Sequence, residues 1–247
     1  TYQKIFNNLP NINEIYNPPQ LSTKIFDRRG KLLYQFYEDE NRSWVSLSQI
    51  PQDLLLATLA VEDKEFYKHH GLSFKGIIRA TIYNLKNSNE KKPQGGSTIS
   101  QQLVKNVFLN GEKSWERKIK EAILAIMLEK KLSKNEILER YFNQVPYGGN
   151  IYGVAEAANR YLGKKVEELN LAEAAFLAGL PAAPSSYSPF NQEGFKLAKQ
   201  RQEYVLDLMK ESKVVDPQRA EVAKKEEIKI IEEKRDYLWI ATDIGIN

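Results

Sequence analysis

Cysteine is absent from the chain, which rules out both a disulfide framework and a thiolate metal site. This suits a compartment in which thiols would oxidise. Histidine is scarce: the two that occur, His69 and His70, are adjacent and leave little for a histidine-based zinc site. No apolar stretch approaches the run of about 18 residues that would span a bilayer; the longest is Ala122 to Leu128. A secretory signal is missing too, since the chain opens on Thr1-Tyr2-Gln3-Lys4. A start without methionine suggests an excised segment, from which a preceding anchor could have been removed. Nor is there a strong charge of one sign. Lys and Arg (36) against Asp and Glu (32) give a net charge of +4 and a pI near 8.9. That is mildly basic, compatible with an anionic surface or substrate. Without interleaved aromatic and basic residues, it is poor support for a nucleic-acid partner, and none is expected.

What is present is a full core. With 247 residues and 42% hydrophobic content, the chain suffices for one large domain with appendages. Residues 1–44 read as a connector, extended around Pro10, Pro18 and Pro19. It carries a small hairpin whose arms, Thr23 to Phe26 and Lys31 to Tyr37, flank Asp27-Arg28-Arg29-Gly30. A compact helical domain follows over 45–190. Pro51 suits a first helical position, and a second helix is expected over Phe74 to Leu85. Asn87 to Pro93 is a polar loop. Ile119 to Leu128 is apolar on nearly every face and is expected to be a helix buried all round. Ser133 with Glu136 and Asn170 with Glu173 form capping boxes, the first accompanied by a Leu132–Ile137 staple. Residues 191–247 read as a charged helical extension and linker. The fold class is mainly α with one small β element near the start.

Three polar segments set against apolar helices carry the chemistry. On a helix, Glu62, Phe66 and His69 fall at i, i+4 and i+7, and Glu62 leaves the apolar run Leu59-Ala60-Val61. Desolvation there raises a carboxylate pKa toward the range useful for proton transfer; the plain alternative is an exposed helical glutamate. In the second segment, Gly95-Gly96 lets backbone approach a ligand, and Ser97-Thr98 opens a helix whose free N–H groups favour an anion. Gln101 and Gln102 add amides, although Thr98 and Gln101 also stand at capping-box spacing. In the third, Lys105, Lys113, Arg117, Lys118 and Lys120 surround Glu121, which shares a stripe with Leu124 and Leu128. An inward carboxylate needs a partner, and Arg117 at i−4 is the expected one. Glu121 is then either half of a structural ion pair or the group that holds a cation or divalent metal against a phosphate.

Glu62-Asp63-x-x-Phe66-x-x-His69-x-Gly71, Gly95-Gly96-Ser97-Thr98-Ile99-Ser100-Gln101-Gln102 and Arg117-Lys118-x-x-Glu121 resemble the first three motifs of the peptidoglycan glycosyltransferases, glycosyltransferase family 51. This is the glycan-polymerising domain of class A penicillin-binding proteins and monofunctional transglycosylases. Lys134 to Asn143 resembles the fourth motif. Arg160-Tyr161-Leu162-Gly163-Lys164 resembles the fifth, with Leu162 where phenylalanine is usual. Ala178-Gly179-Leu180-Pro181 with Pro184 resembles the family's end-of-domain sequence.

The resemblance implies a lysozyme-like, two-lobed helical fold with a catalytic cleft. Its reaction joins lipid II units into β-1,4 glycan, with the growing chain on undecaprenyl diphosphate as donor. It implies Glu62 as general base and Glu121 as the second essential carboxylate, acting on the diphosphate directly, through Mg²⁺ or Mn²⁺, or through basic neighbours. The substrate-binding set it implies is Asp63, His69, Gly96, Ser97, Thr98, Gln101, Gln102, Lys105, Lys113, Arg117, Lys118 and Lys120. Lys113 stands where some relatives have arginine. Moenomycin-type inhibitors are expected ligands. The expected location is the outer face of the bacterial cell membrane, with an N-terminal transmembrane anchor lying outside this chain. Leu72, Phe74, Ile77, Ile78, Ile82 and Tyr83, alternating with Lys75, Arg79 and Lys86, fit an interfacial helix or an ordinary core-facing one. The competing functions are a lysozyme-like glycan-cleaving enzyme and a non-catalytic lipid II-binding scaffold. No serine-lysine transpeptidase motifs occur. The chain therefore reads either as a monofunctional enzyme or as a bifunctional protein cut after its first domain.

Overall fold

A computed structural model describes residues 8–19, 21–29, 32–36, 40–78, 82, 96–109 and 114–231. It is mainly helical with two small sheets. Gly95, Arg79, Tyr83, Lys86, Lys113, the 87–93 loop and the end of the chain lie outside the described residues.

The expected hairpin forms. Strand β1 (Thr23–Phe26) pairs antiparallel with β2 (Leu32–Phe36), with a register shift after Ile25. The second sheet has no counterpart in the sequence reading. It joins β3 (Asn41–Arg42), β4 (Pro146–Gly148) and β5 (Ile151–Tyr152) in the order β3-β5-β4, with β3 parallel and β4 antiparallel to β5. Strands of two or three residues are too short for an alternation signal. They matter because they tie the N-terminal connector to the middle of the chain. Buried Glu156 reinforces the tie by accepting from Lys24 Nζ (3.0 Å), Asn41 Nδ2 (3.1 Å) and Ser43 Oγ (2.8 Å).

Helix α1 (Gln52–Glu62) starts one residue after Pro51, which is its N-cap and not its first helical residue. Residues 74–78 and 82 are helical, the described part of the expected second helix. Then come α2 (Ile99–Phe108), α3 (Trp115–Lys131) and α4 (Lys134–Gln144), each opened by a capping side chain: Thr98, Ser114 and Ser133. A short α5 (Val154–Ala157) runs into a π turn, Ala158–Leu162, which holds most of the fifth motif and closes on left-handed Gly163. The chain continues as α6 (Leu171–Gly179), α7 (Gln192–Glu211) and α8 (Pro217–Lys225).

The helix buried all round is α6 rather than 119–128. Every residue of α6 is buried, whereas Ile119 and Ile126 on α3 are 42% and 38% exposed. In α3 only the stripe Glu121, Leu124, Ala125 and Leu128 faces inward. The alanines of α6 let helices approach from several sides, and α1, α7 and α8 pack against it. Its C-terminal Gly179 leaves room for the Arg201 side chain of α7, since a Cβ there would lie 2.8 Å from Arg201 Cγ. Gln202 of α7 donates to the Ala172 carbonyl at 2.8 Å. One core therefore runs from Ile12 to Ile228, across both expected boundaries at 44 and 190.

Candidate active site

The site begins where α1 ends. Helix geometry stops at Glu62, because Asp63 (φ −158°, ψ 77°) leaves it and Phe66–Lys68 is a separate 3₁₀ turn. Glu62, Phe66 and His69 therefore do not share one helical stripe, contrary to the sequence expectation. Asp63 accounts for the break. Its carboxylate accepts from the Ile99 N–H at 3.0 Å and contacts His69 Nε2 at 2.9 Å, so the chain turns to join the start of α2. His69 packs edge-on against Phe66, with ring centroids 6.0 Å apart. Gly71 completes the loop at φ +93°, where a Cβ would lie 2.8 Å from the backbone of Ala125 on α3.

Glu62 is positioned by that turn. Gln102 Nε2, one turn into α2, donates to Glu62 Oε2 at 2.6 Å, and the Tyr141 hydroxyl donates to Gln102 Oε1 at 3.5 Å. Glu62 Oε1 is buried with no partner among the described residues. Burial pushes the carboxyl above the ordinary glutamate range, against the Gln102 hydrogen bond and the charges of Arg201 and Lys105. The sequence expectation of a desolvated Glu62 agrees in direction. A cleft opens beside it, lined by Glu62, Lys64, Ser73, Gly76, Gly96 and Ser97 among others.

The second segment divides into two roles. Thr98 and Gln101 form the capping box, and Thr98 Oγ1 also donates to the Gly71 carbonyl at 2.6 Å. Both are buried, and with Asp63 and His69 they bind the loop to α2. Gly96 and Ser97 line the cleft, and Thr98 borders it as well as capping α2. Gln102 points to Glu62.

In the third segment, Glu121 is buried as expected, but its partner is Lys118 at i−3 and not Arg117 at i−4. Lys118 Nζ also donates to Ser97 Oγ at 2.8 Å, which links α3 to the cleft mouth. Lys105 lies within electrostatic reach of Glu121 and Glu62; burial lowers its ammonium pKa, partly countered by Glu121. Lys120 pairs with Glu116 at 3.0 Å. With Arg117 it lines a separate hollow beside Asn8, Phe108 and Leu109. Lys113 falls outside the described residues.

Sequence reasoning passed over Arg201, whose charge acts on Glu62 from α7, and Glu129, whose carboxylate faces His69 Nδ1 at 3.8 Å. A helical arginine beyond all five motifs carries no local signal. Tyr141 was within the fourth motif but had no assigned role.

The donor set does not fit a metal held by protein alone. Glu121 supplies one carboxylate, already paired with Lys118. No group of three His, Cys, Asp or Glu among the described residues could hold an ion.

Compared with models of protein families, the chain matches transglycosylase over residues 29–210. It is 44% identical over 204 residues to penicillin-binding protein 1A of Rickettsia conorii, covering 81% of this chain and 25% of that protein. It is 43% identical over 221 residues to penicillin-binding protein 1A of Aquifex aeolicus, covering 89% and 30%. The match thus spans about a quarter to a third of the length of these curated relatives. Among solved structures, the 2.6 Å crystal structure of penicillin-binding protein 1A from Haemophilus influenzae aligns with a TM-score of 0.51 at 24% identity. That alignment covers 92% of this chain and 24% of the other, and it supports the fold. With the family match running through the capped helices, the Glu62 turn and the Glu121–Lys118 pair, the chain belongs to the transglycosylase family, the peptidoglycan glycosyltransferases.

Proposed function

We propose that this domain polymerises lipid II into β-1,4 glycan, with Glu62 as general base. The supporting observation is the paired arrangement of carboxylates. Glu62 is desolvated, with one oxygen held by Gln102 and the other without a protein partner among the described residues. At the cleft, Ser97 accepts from Lys118, which pairs with Glu121, and Lys105 interacts electrostatically with both glutamates.

In this reading the acceptor 4-hydroxyl attacks the donor C1 as Glu62 takes its proton. A C–O bond forms at C1 while the bond from C1 to the phosphate oxygen breaks. The electron pair leaves on undecaprenyl diphosphate, with Lys105 and Lys118 opposing its charge. Preorganised cations at a developing anion are usually the largest contribution in such transfers. Glu121 holds Lys118 at that position. One base and a stabilised leaving group suffice for inversion, and no carboxylate nucleophile is required. A Mg²⁺ or Mn²⁺ ion would find in Glu121 its single protein carboxylate and would take its other ligands from diphosphate and water. No step above depends on it. Membrane contact is proposed for the exposed residues Phe74, Ile77, Ile78 and Ile82, on the outer face of the cell membrane.

The test is polymerisation of labelled lipid II in detergent, wild type beside Glu62→Gln, with products sized on a gel. Polymer from wild type, with at least about a hundredfold loss in a folded Glu62→Gln protein, is the expected result. Wild-type rates from Glu62→Gln would remove Glu62 as the base. Shortening of preformed glycan would favour the hydrolase reading. Lipid II binding without any product would leave a scaffold.

A further inference from the structure

Behind the cleft, five polar side chains from α1's end, α2, α3, α4 and the 63–71 loop close into one circuit. At its centre is Glu129 of α3, a buried carboxylate (3% of its side chain exposed) that lies outside every family motif described above. Ser100 Oγ, in the first turn of α2, donates to Glu129 Oε1 at 2.5 Å. Lys134 Nζ, at the first residue of α4, reaches Glu129 Oε2 at 2.5 Å and donates to the His69 carbonyl at 2.7 Å. The same ammonium sits 4.3 Å from the centre of the Phe66 ring. His69 Nδ1 faces Glu129 Oε1 at 3.8 Å, while Nε2 lies 2.9 Å from Asp63 Oδ2. Asp63 then returns to the start of α2 through the Ile99 N–H.

Two junctions of this circuit abut groups of the proposed chemistry. Asp63 follows Glu62 directly. Ser100 and Ile99 share the first turn of α2 with Ser97 just before it and Gln102 just after it. A buried carboxylate with two strong donors is costly to leave half-paired, so the network is expected to be rigid as a unit.

We propose that Glu129 is a positioning residue for glycan polymerisation: through Ser100, Lys134 and His69 it sets the α1 end against the α2 start, and so sets Glu62 against Gln102 and Ser97. Glu129 touches no reacting atom. The inference rests on the reading of Glu62 as the base, and it predicts a defect in turnover, because Ser97, Lys105 and Lys118 remain to bind the donor. Misplacement of a reacting group by about 1 Å can cost on the order of a hundredfold in rate.

The experiment compares wild type, Glu129→Gln, Ser100→Ala and the double variant. Lipid II polymerisation is followed at a temperature well below each melting point, with wild type and Glu62→Gln as reference. Glu129→Gln is expected to lose about 10- to 100-fold in kcat, with KM within about twofold of wild type. Ser100→Ala, a small change that keeps the fold, is expected to lose less. The double variant should be no slower than Glu129→Gln alone, since both sit on one circuit. Wild-type kcat in folded Glu129→Gln overturns the proposal, as do losses that multiply in the double variant or appear in KM. If Glu129→Gln fails to fold, Ser100→Ala alone decides: a kcat loss at fixed KM supports the role and wild-type kcat ends it. Failure of the underlying reading shows separately, as Glu62→Gln polymerising at the wild-type rate or wild type giving no polymer; in either case this inference falls with it.

Discussion

Gln102 fixes one carboxylate oxygen of Glu62 and leaves the other open, as the proposed role of general base requires. Its hydrogen bond favours the charged form, while burial favours the neutral one, and burial prevails because the folded carboxyl lies above its ordinary value. Two consequences follow in opposite observables. If Glu62 is the base, as proposed, it must be ionised to work, so activity should fall as pH drops through its raised pKa. Gln102→Ala removes a group that lowers that pKa, so the acid limb of the kcat profile should move to higher pH, and the plateau should fall by about tenfold through lost orientation. An unmoved acid limb would separate Gln102 from Glu62. For stability the sign reverses. A carboxyl whose folded pKa exceeds its unfolded one contributes stability below the unfolded value, and loses it as pH rises through the folded value. Ionised Glu62 is therefore a cost at neutral pH. Glu62→Gln should melt higher than wild type near neutrality, with the gap closing on acidification, as thermal melts across pH will read. Residue-level legibility was uneven. Glu62, Ser97 and Glu121 were visible as polar residues against apolar helices. The partner of Glu121 was not, because i−3 and i−4 cations are equally placed on paper and only side-chain packing chooses Lys118.

At the scale of elements, the caps were the most readable features. Thr98, Ser133 and Asn170 each bond the third residue of their helix and receive its side chain in return, as the local spacing demanded. Local chemistry decides a helix start, so a short window suffices. Burial is decided by distant partners, which is why 119–128 read as a helix buried all round while α6 is the helix so buried. The β3-β5-β4 sheet was invisible for the same reason, since its parallel pair joins residue 41 to residue 151. The loop 63–71 shows both effects. Its glycine was legible as a motif residue, yet the need for glycine comes from α3, whose backbone at Ala125 leaves no space for a Cβ. Gly71→Ala adds strain from the positive φ to that collision and should destabilise the domain by about 3 kcal/mol. Urea denaturation measures it. Because the loop holds Asp63 and His69 against α2, lipid II turnover should fall even where the variant is fully folded. A loss below about 1 kcal/mol would mean that the loop lifts away from α3 freely.

For the molecule as a whole, the distribution of exposed apolar side chains bears on how the proposed lipid-linked substrate would reach the site. Phe74 (73% exposed), Ile77 and Ile78 (59% exposed) lie in the helical residues 74–78 beside the cleft, with Lys75 also exposed among them, and helical Ile82 is exposed as well. A core-facing helix would bury these residues, so that reading of the segment does not hold for the part described. No helix among the described residues is long and apolar enough to cross a membrane. Contact from this patch would then be interfacial, with apolar side chains entering the acyl boundary and Lys75 at the headgroups. Such a contact matters to a domain whose proposed substrates are lipid-linked, because the cleft bordered by Ser73 and Gly76 opens next to the same segment. Replacing Phe74 and Ile78 by serine removes two large side chains from the boundary, each contributing on the order of 1.5–3 kcal/mol if fully buried there. Sedimentation with vesicles containing anionic lipid should therefore drop by at least about tenfold in binding constant for the double variant, with helical content unchanged. Turnover of lipid II presented in those vesicles should fall further than turnover in detergent micelles, where the substrate reaches the cleft without docking. Equal losses in the two systems would place Phe74 and Ile78 in the cleft's own structure. Undiminished vesicle binding would move the membrane contact elsewhere on the domain, and with it the direction from which the lipid-linked donor approaches Glu62.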